Sequence, residues 1–531
     1  MLIRTRKSVS WVPWLSLIRA PWLLSLLLVL LLTGCASAPP WVKPAPDYAA
    51  APHAEGPFVS VEQELRAKNG TDYSGFNLLE RSDRALLWRL TLIDSARHSI
   101  DLQYYVWFGD TLGRLMMDRV IKAADRGVKV RILFDDLSTM LHDMTHVEMR
   151  DSLLYRIDRH PNIQIRVFNP WEDRSLFGRV VGMASDFKRL NRRMHNKQMI
   201  VDNRAAIIGG RNLGDEYFGL NPEFNFHDLD VLGIGPVARQ ASQVFDRYWN
   251  SEWVRAIPKL AAEGEVPPED EFSAAAIRSM MANPSLQAIE AGRTDWAAQI
   301  AGLPGLLAAG RSEVHTDSPS RSAETQNHMP DAIRALMRSA KIELLITNAY
   351  IIPDANFMTD LHDLGERGVK VRILTNSLAS HDVPAVNSHY EKWREPILAT
   401  GAQLYELRSD AEMRGELAEI PPLRGEFVGL HTKAMVIDRQ RSFIGSMNLD
   451  PRSEILNSEM GVIVDSPPLA EKLAERMLRD MDGANSWQVI RTDEGELRWR
   501  SRAGELSRQP ARSFLQRVEN VIFKFFPVDL Y

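Results

Sequence analysis

Apolar and polar positions along the chain follow strand and helix periods, and the same order of elements occurs twice. The run SIDLQYYVW (99–107) is strand-like, a helix-length segment follows it, and a second apolar run lies in KVRILFDD (129–136). KIELLITNAYII (341–352) is followed in the same way by a helix-length segment and KVRILTNS (370–377). Strand, helix and strand in this order are typical of a crossover unit in a parallel or mixed sheet, which predicts an α/β fold.

Two longer stretches repeat with their distinctive residues at the same spacing. AADRGVKVRILFDD (123–136) returns as LGERGVKVRILTNS (364–377), 241 positions later at the shared glycine. MHNKQMIVDNRAAIIGGRN (194–212) returns as LHTKAMVIDRQRSFIGSMN (430–448), 236 positions later at the histidine. These repeats predict two similar α/β lobes in one chain.

The first residues have the pattern of a targeting segment. Basic residues in MLIRTRKSVS precede the uncharged run WLLSLLLVLLL (22–32), which is short for a membrane span. The following LTGCAS resembles a bacterial lipobox, in which Cys35 would become the lipidated first residue. The alternative is a buried free thiol in an uncleaved signal anchor. Because Cys35 is the only cysteine, the sequence excludes an intramolecular disulfide and a cysteine zinc site.

Changes in composition divide the rest of the chain. The stretch after Cys35 is rich in Pro and Ala and predicts an extended tether, and a polar, turn-rich stretch farther on predicts a linker with some local structure. We expect five segments: a lipoprotein signal peptide (1–35), a flexible tether (36–57), a first lobe (58–255), an inter-lobe linker (256–325) and a second lobe (326–531).

Composition and charge narrow the function classes. With 531 residues, 45% hydrophobic and 25% charged, the chain is globular and long enough for two or more cores. Its net charge of −5 provides no overall basic field of the kind that attracts nucleic acids nonspecifically. Any attraction to an anion must therefore be local.

The repeated motif supplies candidates for such a local site. In a strand, residues i and i+2 point to the same side, so His195 shares a face with Lys197, and His431 shares a face with Lys433. Asp202 and Asp438 each follow their histidine by seven residues, an odd number that turns them to the opposite strand face, so we expect them to brace a hairpin turn. The glycines that follow permit a ligand or a neighbouring strand to come close to the backbone. The motif-structural positions are Asp202, Asp438, Gly209, Gly210, Gly445 and Ser446, and the neutral donors that follow them are Asn212 and Asn448.

Because the histidine and lysine pair occurs twice, it indicates a functional site. A single pair would more often be an exposed surface pair or part of the core. Two lobes that meet about a pseudo-twofold axis would bring together two imidazoles, two ammonium groups and two amides. Such a pocket suits a phosphate diester, whose oxygens share the negative charge of the transferring group. One imidazole can attack phosphorus while the other protonates the leaving oxygen. No cysteine or carboxylate cluster accompanies the motif, so we expect no metal and no cofactor.

The pattern HxKxxxxD followed by GG or GS and Asn, present twice, resembles the phospholipase D superfamily. The resemblance implies two such lobes, each a mixed sheet flanked by helices, with the active site at their interface. It also implies that His195 is the nucleophile, that His431 is the general acid and later the base, and that an acidic residue supports each histidine. The phosphate oxygens would be held by Lys197, Lys433, Asn212 and Asn448. Glu459 would support His195 and Asp230 would support His431, with Asp228 as a competing candidate on the same strand face.

Within that superfamily, RLNRRMHNK, GGRNLGDEYFG and DLDVLGIGPV resemble the single-chain, C-type cardiolipin synthases of bacteria. The resemblance implies transfer of a phosphatidyl group from phosphatidylethanolamine or phosphatidylglycerol to phosphatidylglycerol, through a phosphohistidine. The expected partners are phospholipids and a membrane, reached through the lipid anchor on the periplasmic side of an inner or outer membrane. Nucleic acid is not expected, and a monomer is sufficient for the site. The alternatives are a phosphodiesterase acting on phospholipids, a nuclease, which the acidic charge balance and the lipid anchor disfavour, and an inactive lipoprotein scaffold.

The C-terminal stretch SFLQRVENVIFKFFP (513–527) has an apolar stripe at helical spacing. Such a stripe usually faces a core, so we expect it to pack against the lobes. An interfacial membrane helix is the alternative.

Overall fold

A computed structural model describes residues 44–136, 154–171, 187–257, 278, 282–291, 295–319 and 328–526. The signal segment and Cys35 lie outside these residues. The strands of the first lobe are β1 (Ser74–Leu79), β2 (Ser99–Tyr104), β3 (Lys129–Asp135), β4 (Ile163–Phe168), β5 (Gln198–Val201), β6 (Ala205–Gly209), β7 (Phe224–His227), β8 (Asp230–Ile234) and β9 (Val254–Ala256). The later strands are β10 (Ala308–Thr316), β11 (Glu343–Asn348), β12 (Lys370–Asn376), β13 (Gln403–Leu407), β14 (Phe427–Leu430), β15 (Lys433–Ile437), β16 (Arg441–Gly445), β17 (Met460–Asp465), β18 (Ser486–Arg491), β19 (Leu497–Ser501) and β20 (Gly504–Leu506).

Helices connect these strands. They are α1 (Val59–Asn69), α2 (Ser82–Ser95), α3 (Thr111–Asp125), α4 (Phe187–Leu190), α5 (Pro236–Trp249), α6 (Pro284–Ala291), α7 (Trp296–Gly302), α8 (Met329–Arg338), α9 (Ala355–Glu366), α10 (Pro384–Tyr390), α11 (Arg394–Ala399), α12 (Arg414–Leu417), α13 (Pro467–Asp480) and α14 (Phe514–Phe523). Short 3₁₀ turns occur at Asp215–Tyr217, Leu303–Gly305 and Glu391–Trp393, and a π-helical turn at Arg452–Leu456. In the part of the chain that the structure describes, no helix has the length and apolar character needed to cross a bilayer.

The sheets of the two halves have the same strand order, as the repeats predict. In the first half the order is β9-β4-β3-β2-β5-β6-β8-β1, and in the second it is β18-β13-β12-β11-β15-β16-β17-β10. The two crossover pairs, β2 to β3 and β11 to β12, are parallel, and the hairpins β5–β6 and β15–β16 are antiparallel. The prediction of two similar α/β lobes, each with a mixed sheet flanked by helices, is confirmed.

The two sheets join edge to edge through β1 and β10. Ser74–Phe76 pairs antiparallel with Ala308–Gly310, and the rest of β10 pairs with β17. Helices α5 and α13, which occupy equivalent places in the two lobes, contribute Phe245, Tyr248, Leu473 and Met477 to one shared apolar cluster. This shared core fixes the lobes against each other, which a site at their interface requires.

Two expectations about the connecting segments need correction. Strand β10 falls inside the stretch 256–325 that we expected to link the lobes. Its polar sequence AAGRSEVHT does not look like a strand, but its first three residues pair with β1 and the rest pair with β17. Residues 44–57, expected to belong to a flexible tether, bind the first lobe. The backbone N–H groups of Asp47 and Ala49 donate to Asn250 and Asp246, and the His53 ring stacks on His98.

Candidate active site

Each histidine and lysine pair lies at the entrance to a hairpin rather than within a strand. His195 and Lys197 directly precede β5, and Lys433 is the first residue of β15, two residues after His431. All four side chains are buried. The Lys197 ammonium donates to the carbonyl of His195 at 2.7 Å, and that of Lys433 donates in the same way to the carbonyl of His431. In both pairs the lysine ammonium thus binds the backbone carbonyl of its own histidine.

Backbone hydrogen bonds attach each motif to the opposite lobe. The N–H of His195 donates to the Ser458 carbonyl at 2.8 Å. The N–H of His431 donates to the His227 carbonyl at 2.9 Å, where β7 of the first lobe pairs in parallel with β14 of the second. Both histidines therefore lie at the lobe interface.

Each histidine also receives a carboxylate from the other lobe. Nδ1 of His195 lies 2.8 Å from Oε2 of Glu459, and Nδ1 of His431 lies 2.6 Å from Oδ2 of Asp228. In both pairs the carboxylate occupies Nδ1, which leaves Nε2 to meet a substrate. The contact expected between Glu459 and His195 is present.

The pairing expected between Asp230 and His431 is wrong. Asp230 binds the guanidinium groups of Arg89 and Arg211 at 3.0 and 3.1 Å in the interior of the first lobe. Asp228 and Asp230 lie two residues apart, but Asp230 is already part of the ladder of β8, whereas Asp228 precedes that strand at the lobe boundary. The carboxylate that contacts His431 is Asp228, the alternative candidate.

Glycines before these carboxylates are required by close packing. A Cβ atom on Gly210 would lie 2.3 Å from Oδ1 of Asp228, and one on Gly209 would lie 2.2 Å from Oδ1 of Asp230. On Gly445 a Cβ would lie 2.5 Å from the Met460 carbonyl. The glycines thus allow close approach by neighbouring protein groups.

The motif aspartates tie each hairpin to the neighbouring strand. Asp202, at φ 51°, accepts hydrogen bonds from the backbone N–H groups of Arg97, His98 and Ser99 at the start of β2. Asp438, also at φ 51°, does the same for the residues that lead into β11: Lys341, Ile342 and Glu343. Their carboxylates therefore bond to backbone at the far end of each hairpin from the histidines.

Glu459 is held by Ser446, a motif position, and by Asp317, which the sequence did not indicate. The Ser446 hydroxyl donates to Oε2 of Glu459 at 2.5 Å, so this serine orients the carboxylate. The N–H of Glu459 donates to Oδ2 of Asp317 at 2.9 Å, and Oδ1 of Asp317 accepts from Met329 at 2.8 Å. Asp317 lay in the expected linker without any motif around it, so no signal in the sequence pointed to it.

The two asparagines follow the hairpins as predicted. Oδ1 of Asn212 accepts from the backbone of Val106 at 3.2 Å, in the segment that follows β2. Asn448 is buried, and its Oδ1 accepts no hydrogen bond from the residues that the structure describes. The structure therefore gives Asn212 a protein partner and leaves the Asn448 amide oxygen available.

Aromatic rings form the walls around both histidines. The ring of Tyr105 meets that of His195 edge-on at 4.9 Å, with the Lys197 ammonium 5.2 Å from the tyrosine centroid. The rings of Tyr217 and Phe226 lie 5.2 and 4.9 Å from that of His431. These walls limit solvent around the reactive nitrogens, which strengthens electrostatic interactions there.

Burial and mutual repulsion shift the basic groups toward their neutral forms. Burial, with the charges of Lys197 and Lys433, lowers the pKa of His195 well below its usual value. Burial lowers the pKa of Lys197 to about 7 and that of Lys433 to about 8. A neutral His195 with an unprotonated Nε2 is the form that can attack phosphorus.

The pKa values of the two carboxylates shift in opposite directions. Burial raises the pKa of Glu459 to about 7. Burial acts in the same direction on Asp228, but the positive charge of His431 and its hydrogen bond outweigh it and lower the pKa of Asp228 below its usual value. The pKa of His431 is lowered by burial, although Asp228 opposes that effect. An ionised partner favours the protonated imidazole, so His431 is better placed than His195 to act as an acid.

Among the described residues, no group of three or more His, Cys, Asp or Glu side chains is arranged to hold a metal ion.

Comparisons with known proteins agree with this geometry. A family model described as "Cardiolipin synthase, PLD-like domain" matches residues 90–249 and 333–481, one match in each lobe. The chain is 35% identical over 460 residues to cardiolipin synthase C of Escherichia coli, covering 85% of this chain and 94% of that protein. It is 25% identical over 394 residues to the major cardiolipin synthase of Bacillus subtilis, covering 74% of this chain and 66% of that one.

Among solved structures, phosphatidylserine synthase of Haemophilus influenzae superposes with a TM-score of 0.54 at 14% identity, over 82% of this chain and 93% of that one. At this identity the likeness concerns the fold, and it covers both lobes.

Proposed function

Because this chain belongs to the phospholipase D superfamily, among the cardiolipin synthases, we propose that it makes cardiolipin by transferring a phosphatidyl group to phosphatidylglycerol through a phosphohistidine. It is a phosphatidyltransferase of that superfamily. The observation that carries the proposal is the crosswise pairing of each histidine with a carboxylate of the opposite lobe, at 2.8 and 2.6 Å. The donor is phosphatidylethanolamine or phosphatidylglycerol.

In the first step, Nε2 of His195 attacks the phosphorus of the donor. A P–N bond forms, the P–O bond to the headgroup alcohol breaks, and His431 gives its Nε2 proton to the departing oxygen. The low pKa of His195 and the ionised Asp228 beside His431 support this division of roles. Ethanolamine or glycerol leaves the site, and the phosphatidyl group stays on His195.

In the second step, the neutral His431 takes a proton from the free hydroxyl of phosphatidylglycerol. The hydroxyl oxygen attacks phosphorus, the P–O bond of cardiolipin forms and the P–N bond to His195 breaks. Lys197, Lys433, Asn212 and Asn448 hold the non-bridging oxygens, which carry most of the negative charge in both transition states.

We further propose that residues 1–35 form a lipoprotein signal segment with its cleavage site just before Cys35, that Cys35 carries a lipid, and that the enzyme works at the periplasmic face of a membrane. The first lobe would span residues 58–255, and the second would begin at β10 (Ala308–Thr316) instead of residue 326. A single chain supplies both histidines and both carboxylates, so a monomer is sufficient for the reaction.

The test is product analysis by mass spectrometry. Detergent-solubilised protein is given phosphatidylglycerol alone, or mixed with phosphatidylethanolamine of different acyl chains, and the released headgroup alcohol is identified. Cardiolipin with ethanolamine indicates one donor, and cardiolipin with glycerol from phosphatidylglycerol alone indicates the other. Phosphatidic acid without cardiolipin would make the protein a hydrolase and overturn the proposal. His195→Ala, checked for unchanged folding, is the control that should form no product.

A further inference from the structure

The C-terminal helix α14 packs on the protein with its polar face. Its buried side chains are Gln516 and Asn520, whereas Phe514 and the nearby Phe525 are 81% and 87% exposed. The exposed apolar face comprises Phe514, Leu515, Val518, Val521, Ile522 and Phe525. These positions follow helical spacing, so they form one continuous surface. The expectation that this stripe packs against the lobes is wrong, because periodicity shows that a helix has an apolar face but not which face is covered.

Polar contacts hold the helix in this orientation. The Gln516 amide donates to the Leu378 carbonyl at 2.6 Å. Asn520 accepts from Asn387 at 2.7 Å and donates to Glu391 at 3.0 Å. Lys524 forms an ion pair with Glu391 as well. Turning the apolar face inward would break all of these contacts, so the exposed face belongs to the folded arrangement.

The apolar surface is concentrated at this place. Seven of the twelve large apolar side chains that are exposed in the described residues lie between 514 and 526. Scattered single apolar side chains are normal on a protein surface, but a contiguous cluster of this kind marks a surface that contacts another protein or a membrane.

The helix is connected to the active site through a short chain of contacts. The Arg512 guanidinium lies 3.6 Å from the ring centroid of Phe427, and Phe427 lies 4.6 Å from Phe224. Phe224 lies 4.5 Å from Phe226, which lies 4.9 Å from His431. Three aromatic rings therefore link Arg512, just before the helix, to the second histidine.

We propose that α14 with the turn to Phe526 is an interfacial membrane helix, whose apolar face enters the acyl region of an anionic phospholipid bilayer. The charges favour this occupant: the segment 508–524 carries four basic residues and one acid, Glu519. Lys524 pairs with Glu391 and Arg512 lies on the Phe427 ring, so Arg508 and Arg517 supply the positive charge for an anionic surface. Cationic flanks with an apolar face are typical of helices that lie in the plane of anionic membranes. The helix would bring the site to its phospholipid substrates, and in this respect the inference rests on the proposed function.

Binding is tested directly with an environment-sensitive dye in the full chain, in which Cys35→Ser removes the only native thiol. The dye is attached at Val518→Cys or, as a control, at Ile342→Cys. Ile342 is also exposed but lies next to the start of β11, the end away from the active site. On vesicles of phosphatidylglycerol and phosphatidylethanolamine, emission from position 518 should shift to the blue and emission from position 342 should not. Because both proteins keep the same N-terminal segment, membrane tethering alone cannot produce the difference.

Emission from position 518 that is unchanged by vesicles would overturn the inference. So would blue emission before vesicles are added, because that would mean that a second copy or another part of this chain already covers the face.

An activity measurement separates this inference from the proposed function. In the triple variant Phe514→Ser, Val521→Ser, Phe525→Ser, cardiolipin formation on vesicles should fall about tenfold or more, since three large apolar side chains no longer enter the bilayer. Turnover of a dissolved short-chain phosphatidylglycerol should stay unchanged, and Ile342→Ser should change neither. Equal loss on both substrates would contradict the inference. A native enzyme that makes no cardiolipin would overturn the proposed function, while the dye result would stand.

Discussion

Replacement of Asp228 by asparagine should separate catalysis from stability at this site. Asp228→Asn keeps the shape of the side chain but removes the negative charge that lies 2.6 Å from Nδ1 of His431. Both groups are buried, so water cannot replace the lost charge. We expect the folded structure to persist and the protonated form of His431 to become less favourable.

The size of the effect follows from the contact. A hydrogen bond to a charged group contributes about 1.5–3 kcal/mol, which corresponds to a rate loss of about 10-fold to 150-fold. The same free energy is about one to two units in the pKa of His431, which falls when the carboxylate is removed. Since the general acid must be protonated, the alkaline limb of the pH–rate profile should move to lower pH by that amount.

Asp230→Asn is the matched control. The chemical change is the same and the position is two residues away, but Asp230 binds the buried guanidinium groups of Arg89 and Arg211. Leaving these charges without their carboxylate should cost about 3–5 kcal/mol of folding stability. Activity per folded molecule should remain close to that of the native enzyme.

The assay is cardiolipin formation across pH, with thermal unfolding measured on the same samples. Full activity in Asp228→Asn, together with inactivity of a stably folded Asp230→Asn, would refute the assignment of Asp228 to His431.

Three further changes test other parts of the site. Lys197→Met should abolish transfer yet stabilise the fold by about 1–2 kcal/mol in denaturant unfolding near pH 7. The reason is that an apolar side chain replaces a buried ammonium with a pKa of about 7. Lower stability than that of the native protein would contradict this. For native Lys197, whose folded pKa is below the ordinary 10.5, stability should rise with pH between about 7 and 10.5, and Lys197→Met should lack that part of the rise. Asp202→Ala removes the acceptor for three backbone N–H groups and should cost about 2–3 kcal/mol in unfolding free energy; loss of turnover without loss of stability would show that Asp202 serves the chemistry instead. Gly210→Ala places a methyl group 2.3 Å from Oδ1 of Asp228 and should lower turnover at least tenfold, and a crystal structure should show Asp228 displaced; native turnover would contradict the packing argument.

The sequence predicted what its repeats encode. The lobe architecture followed from two copies of a crossover unit and two copies of the histidine motif. The contact between Glu459 and His195 was predicted from the resemblance to a family and not from spacing.

The remaining features depend on tertiary contacts that a linear pattern does not contain. The spacing of Asp228 and Asp230 predicts one shared strand face, but Asp228 precedes β8 at the lobe boundary, and that position decides which of them meets His431. Strand β10 was hidden because its polar residues pair between two lobes, and Asp317 could not be found without that strand. The orientation of α14 is decided by buried amides, Gln516 and Asn520, which the apolar stripe does not reveal.

Trapping the covalent intermediate would identify the nucleophile. The donor carries p-nitrophenol as the headgroup, because this leaving group needs no proton from His431, and the protein is His431→Ala or His195→Ala. His431→Ala should release a rapid burst of about one p-nitrophenol per active site, because the second step then lacks its base. Mass spectrometry of this variant should place the phosphatidyl group on His195. His195→Ala should give no burst. A burst from His195→Ala, or a phosphatidyl group on any other residue of His431→Ala, would contradict the assignment of His195 as the nucleophile.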